Sequence, residues 1–176
     1  MGYVLASPLR RLVQSPEEIL RPYVRPGMTV LEPGPGMGFF TLPLARMAGP
    51  SGRVVAVDVQ PKMLARLKRR AASNGVWEHL DLRLAQPASM GVADLAGQVD
   101  FALAFAVVHE VPSPEVFFRE IAQSLKQNGK LLLVEPSGHI THSEFGNELE
   151  SAARAGLRLA ARPQVWRSHA ALLTRS

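Results

Sequence analysis

Strand-like and helix-like hydrophobic periods alternate along this chain almost without pause, and that alternation restricts the fold more than any other feature. Ser15-Pro16-Glu17-Glu18 has the form of a capping box with proline at the first helical position, so a short helix opens there. Arg25-Pro26-Gly27 turns the chain into a first strand, Met28 to Leu31. A helix is expected from about Gly38 to Met47, closed by Gly49-Pro50-Ser51-Gly52. Strands follow at Arg53–Asp58, Leu80–Leu84, Val99–Phe105 and Lys130–Val134. Between them lie a helix carrying Leu64, Leu67 and Ala71, and another capped by Ser113-Pro114-Glu115 with Phe118, Ile121, Ala122 and Leu125 inward, which Gln127-Asn128-Gly129 ends. A last helix near Ser143 to Ala155 precedes two strand-like runs, Leu157–Ala161 and His169–Thr174, joined closely enough to form an antiparallel pair.

This order predicts an α/β fold, a doubly wound and mostly parallel sheet of about seven strands, with ligands bound outside the carboxyl ends of the strands. The length, 176 residues, suits one domain spanning 1–176. The longest apolar run, Phe101 to Val108, is far too short to span a membrane. Pro8-Leu9-Arg10-Arg11 interrupts any export signal, and Ala6 stands where a myristoylation motif needs Ser or Thr, so a cytoplasmic location is expected.

The chemistry concentrates after the first strand, in Glu32-Pro33-Gly34-Pro35-Gly36-Met37-Gly38. A strand, a glycine-rich turn and a helix direct backbone N–H groups at a ligand. The spacing differs from a dinucleotide fingerprint, which needs glycine where Phe39 stands. Glu32, two residues before the first glycine, is placed to accept from an ammonium group, a task a pyrophosphate does not offer. Asp58 ends the second strand 20 residues after Gly38, where a carboxylate accepts from ribose hydroxyls.

Together these segments resemble the class I S-adenosylmethionine-dependent methyltransferases. Leu31 to Gly38 looks like the family's motif I, Val57-Asp58 like motif II, Asp100 to Val111 like motif IV, and Leu125-Lys126-Gln127-Asn128-Gly129 like the segment before strand five. The resemblance covers Met28 to Glu135 and is closest to the small type 11 group, which includes ubiquinone and menaquinone biosynthesis methyltransferases. It implies a Rossmann-like sheet with an antiparallel C-terminal strand and S-adenosylmethionine as cofactor, S-adenosylhomocysteine being the product. The loop residues Glu32, Gly34, Pro35, Gly36 and Gly38 would meet the methionine moiety, and Asp58 with adjoining Val59 the ribose side. Where the family often has an acid for the adenine amino group, this chain has Gln86, which offers a carboxamide oxygen without charge. Phe105 is a candidate to pack on the adenine or near the sulfonium.

Methyl transfer needs alignment and exclusion of water, with a base where the nucleophile must lose a proton. His109, just after the fourth strand, is the candidate base or acceptor contact. Glu135, His139 and His142, with His109 and Glu110, fit no metal-ligand motif, so no metal is expected. With no cysteine, there is no ligand set for an iron–sulfur cluster, and the cofactor would serve polar rather than radical chemistry. The net charge of +5 comes partly from Arg66, Lys68, Arg69 and Arg70, read as the wet face of a helix. The expected activity is methylation of a small molecule. The alternatives are an RNA methyltransferase, a nicotinamide-dependent oxidoreductase, or a cofactor-binding protein without catalysis. Met1–Arg11 and the helix near Ser143 are candidates for a lid over the acceptor.

Overall fold

A computed structural model describes residues 15–86 and 88–175. Seven strands form a sheet in the order β3-β2-β1-β4-β5-β7-β6, and the chain divides into two compact units, one ending at Ala85 and the other beginning at Gln86. Among the described residues no helix is long and apolar enough to cross a membrane. The expected lid over Met1–Arg11 lies outside the described residues.

The first unit holds α1 (Pro16–Leu20), β1 (Thr29–Pro33), α2 (Thr41–Ala48), β2 (Arg53–Asp58), α3 (Pro61–Ser73) and β3 (Leu80–Leu84). The Ser15–Glu18 capping box forms as its sequence requires. β1 pairs in parallel with β2, and β2 with β3. Val30, Leu31 and Val54 to Ala56 are wholly buried, whereas β3 is only half covered along its length. Strand β1 runs two residues further than the apolar run suggests, so Glu32 and Pro33 belong to it. Helix α2 begins three residues later than expected, at Thr41, because Gly38 holds a left-handed φ of 84° that no helical turn accepts. Leu67 and Ala71 anchor α3, while Leu64 stays half-exposed.

The second unit holds β4 (Val99–Phe105), α4 (Pro114–Ser124), β5 (Leu125–Pro136), α5 (His142–Arg154), β6 (Leu157–Ala161) and β7 (Ser168–Arg175). β4 and β5 are parallel; β7 runs antiparallel to both β5 and β6, giving the expected terminal pair. The segment Gln127-Asn128-Gly129 does not end α4. That helix stops at Ser124, whose hydroxyl donates to the Ile121 carbonyl at 2.8 Å, while the Gly97 and Gln98 N–H groups take the Gln123 and Ser124 carbonyls. With its last carbonyls occupied the helix has a defined end, and Leu125 to Gly129 becomes the irregular first stretch of β5, with Asn128 at φ 65°. α5 starts one residue early because Thr141 and Glu144 form a second capping box. It is packed along α4 and β6, with Phe145 and Ala152 buried.

Phe118 and Ile121 of α4 are fully buried. Replacement of Phe118 by Ala should cost about 3–5 kcal/mol of stability, read as a lower midpoint in urea with an unchanged slope.

Candidate active site

In the first unit the glycine turn is held from three sides. The Gly34 N–H donates to the Val57 carbonyl at 2.8 Å and the Gly38 N–H to the Pro35 carbonyl at 2.9 Å. From α3, the Arg70 guanidinium donates to the Met37 carbonyl, and Arg66 Nη1 lies 3.9 Å from the Met37 sulfur. Two of the four cations assigned to a wet helix face are therefore occupied with this loop; a third, Lys68, sits over the Trp77 ring. Gly36 and Gly38 serve different ends. A Cβ on Gly38 would stand 2.5 Å from Leu67 Cδ1, and its left-handed φ of 84° adds to the preference for glycine there. Gly36 has φ 53°, a left-handed conformation that favours glycine, and a Cβ there would meet nothing within 4 Å, so its flank is open.

Glu32, on β1 before this turn, is 4% exposed, and its Oε2 has no hydrogen-bond partner; neither has the buried Thr41 Oγ1 at the start of α2. Burial pushes the Glu32 carboxyl up to about 8, with the Asp58 charge adding to the rise and the Thr41 side chain offsetting part of it. Asp58 closes β2, 8% exposed, its Oδ1 accepting the Gln60 N–H at 2.8 Å. Val59 beside it is an exposed apolar side chain, 61% open to solvent. The first unit thus gathers Glu32, Gly34, Pro35, Gly36, Gly38, Asp58 and Val59 around one turn and its neighbouring strand end.

The second unit carries the other candidates. Gln86 is exposed and forms a two-way backbone bridge with Ser89. That bridge is anchored by Glu120 of α4, which accepts from the Ser89 hydroxyl at 2.6 Å and the Met90 N–H at 2.9 Å. Phe105 ends β4, half-buried, and Ala106 follows at φ 55°. A 3-10 turn, Val108–Glu110, then presents His109. Its Nδ1 lies 2.5 Å from Oε2 of Glu135 and its Nε2 lies 3.3 Å from Nδ1 of His139. Glu110 is mostly exposed and 3.9 Å from the ring. Sequence reasoning named Glu135 only as a weak metal ligand; the structure makes it the partner of His109. The available signal was positional: Glu135 lies near the end of β5, and His109 on the turn that follows the neighbouring parallel strand β4. Glu148 was missed entirely. On α5 it is 8% exposed with a partnerless Oε2, and burial, with the Glu135 and Glu144 charges, raises it to about 8. Among the described residues no group of three or more histidines and acids is arranged to hold a metal ion.

A family model described as methyltransferase domain matches residues 31–133. An arsenite methyltransferase of Halobacterium salinarum is 31% identical over 108 residues, 61% of this chain and 27% of the relative. A ubiquinone/menaquinone biosynthesis C-methyltransferase of Hahella chejuensis is 28% identical over 112 residues, 64% of this chain and 44% of the relative. The chain spans less than half the length of these curated relatives. Among solved structures, a SAM dependent methyltransferase from Aquifex aeolicus superimposes with a TM-score of 0.87 at 24% identity, over 99% of this chain and 97% of that one. That likeness establishes the fold.

A carboxyl held above its ordinary 4.5 binds its proton more tightly in the folded state, so stability falls as pH rises from about 4.5 to about 8. Without ligand, the melting temperature should decline across this window, and Glu32→Gln should remove part of the decline. At pH 8 the variant should melt higher than wild type, by about 2–4 °C for every ~1 kcal/mol recovered. Parallel profiles for the two proteins would show that Glu32 is not the group responsible.

Proposed function

This chain belongs to the methyltransferase domain family of S-adenosylmethionine-dependent enzymes, and from that premise we propose that it methylates a small-molecule acceptor. The observation that carries the reading is Glu32, a buried carboxylate with one unpartnered oxygen at the start of a glycine turn whose Gly36 flank is open. Native structures rarely leave such a group unsatisfied without a functional reason, and an ammonium partner supplies what Oε2 lacks.

When bound, the cofactor supplies a methyl group already activated by its sulfonium. In this reading Glu32 ionises as it accepts from the ammonium of the methionine moiety, because an opposite charge favours the charged form. Gly34, Pro35, Gly36 and Gly38 form the turn that lets backbone approach the ligand. Asp58, whose Oδ1 accepts the Gln60 N–H at the end of β2, takes the ribose hydroxyls. Val59 offers an apolar surface to the adenine; Phe105 and Gln86 are further candidates for contact with the cofactor. His109 acts as the base that removes a proton from the acceptor. A small acceptor is supported by the relatives named for ubiquinone, menaquinone and arsenite chemistry.

Thermal shift should show stabilisation by S-adenosylmethionine and S-adenosylhomocysteine but not by NAD; stabilisation by NAD alone would reject the reading. Asp58→Ala should weaken cofactor binding in calorimetry by about 10- to 100-fold, the worth of hydrogen bonds to a charged group. Unchanged affinity would remove Asp58 from the ribose role. His109→Ala should lower release of S-adenosylhomocysteine in the presence of small-molecule methyl acceptors by about 10²- to 10⁴-fold, with cofactor affinity kept. Retained turnover would exclude His109 as the base.

A further inference from the structure

Glu135 closes the buried run of β5 and has no exposure to solvent. Its Oε1 accepts the N–H groups of Val107 and Val108, at 3.1 and 2.7 Å, and so holds the turn on which His109 stands. Its Oε2 meets His109 Nδ1 at 2.5 Å. Two backbone N–H donors on one oxygen and an imidazole nitrogen against the other, around a carboxyl shut away from water, are the surroundings of an ionised, acceptor-only group. An ionised Oε2 requires the proton on Nδ1, and a neutral ring then keeps its lone pair on Nε2. At 3.3 Å from that lone pair stands Nδ1 of His139, on the exposed turn after β5, with the two rings edge to face at 81°. His139 therefore donates to the atom that the acceptor must reach.

We propose that Glu135 is the positioning residue of the reaction: it fixes His109 in the Nδ1–H form, making Nε2 the basic atom, and His139 guards that atom until an acceptor bearing a proton replaces it. The inference rests on His109 as the base. The acceptor's proton passes to Nε2, giving an imidazolium whose Nδ1–H remains on Glu135, and leaves from Nε2 to water afterwards. Because Glu135 is sealed and its other oxygen is engaged by backbone, the ring does not turn over to present Nδ1 instead.

The test is the histidine tautomer, read by long-range proton–nitrogen correlation on the full chain at a pH where its imidazoles are neutral. The His109 signals are assigned by their loss in His109→Ala. Wild type should show His109 protonated at Nδ1 and bare at Nε2. Glu135→Gln should invert this: its carboxamide oxygen keeps the two backbone N–H bonds and turns its NH₂ toward Nδ1, driving the proton to Nε2. His139→Ala should leave the Nδ1–H form in place. Cofactor affinity of Glu135→Gln should stay within about twofold of wild type, which a general loss of structure would not allow. An Nε2–H form in wild type, or no inversion in Glu135→Gln, would overturn the proposal. Either result is independent of the His109→Ala turnover, so failure here is separable from failure of His109 as the base.

Discussion

The central strands of this protein are buried along their length, and polar chemistry can therefore enter only where they end. Val54 to Ala56 on β2, Ala102 to Ala104 on β4 and Leu131 to Val134 on β5 have no solvent exposure, the pattern of parallel strands covered on both faces. At or just inside the carboxyl ends of β1, β2 and β5 stand three acids, Glu32, Asp58 and Glu135, each less than one-tenth exposed. Burying a carboxylate costs several kcal/mol unless hydrogen bonds replace its water. The three acids meet that cost differently, and the differences divide their roles.

Glu135 is fully compensated within the protein by two backbone N–H groups and an imidazole. It is finished structure, and its worth is to orient what touches it. Asp58 accepts the Gln60 N–H and stands 8% exposed at the end of β2. Glu32 has an oxygen with no partner and responds by holding its proton to about pH 8. A sequence that keeps an uncompensated acid beside a glycine turn accepts a less stable fold than an apolar residue would give. Such a residue fits a site completed by something from outside the chain.

Much of this was legible in the sequence because it depends on local pattern. The limits of β2, β3, β4 and β6 match the apolar runs to the residue, and the seven-stranded sheet with its antiparallel β7 follows from the order of elements. The placement of Asp58 at the end of β2 was also readable, and Glu32 was read beside the glycine turn though not as part of β1. What escaped was set by packing between distant segments. The Glu135–His109 bond joins residues 26 apart, the Arg70 bond to the Met37 carbonyl spans 33, and neither has a local signature. The end of α4 was misplaced because Gly97 and Gln98, well upstream, take its terminal carbonyls. Asn128-Gly129 reads as a helix stop, and only that contact moves the stop back to Ser124.

Helix α3 touches the glycine turn and the acid beyond it at three separate points. Leu67 fills the space that a side chain at Gly38 would need, Arg70 holds the Met37 carbonyl, and the Gln60 N–H at its N-terminus fixes Asp58. A helix opens and closes as a cooperative unit. These three supports are thus lost or regained together when α3 melts locally. Amide exchange along α3 will accordingly report on the readiness of the cradle.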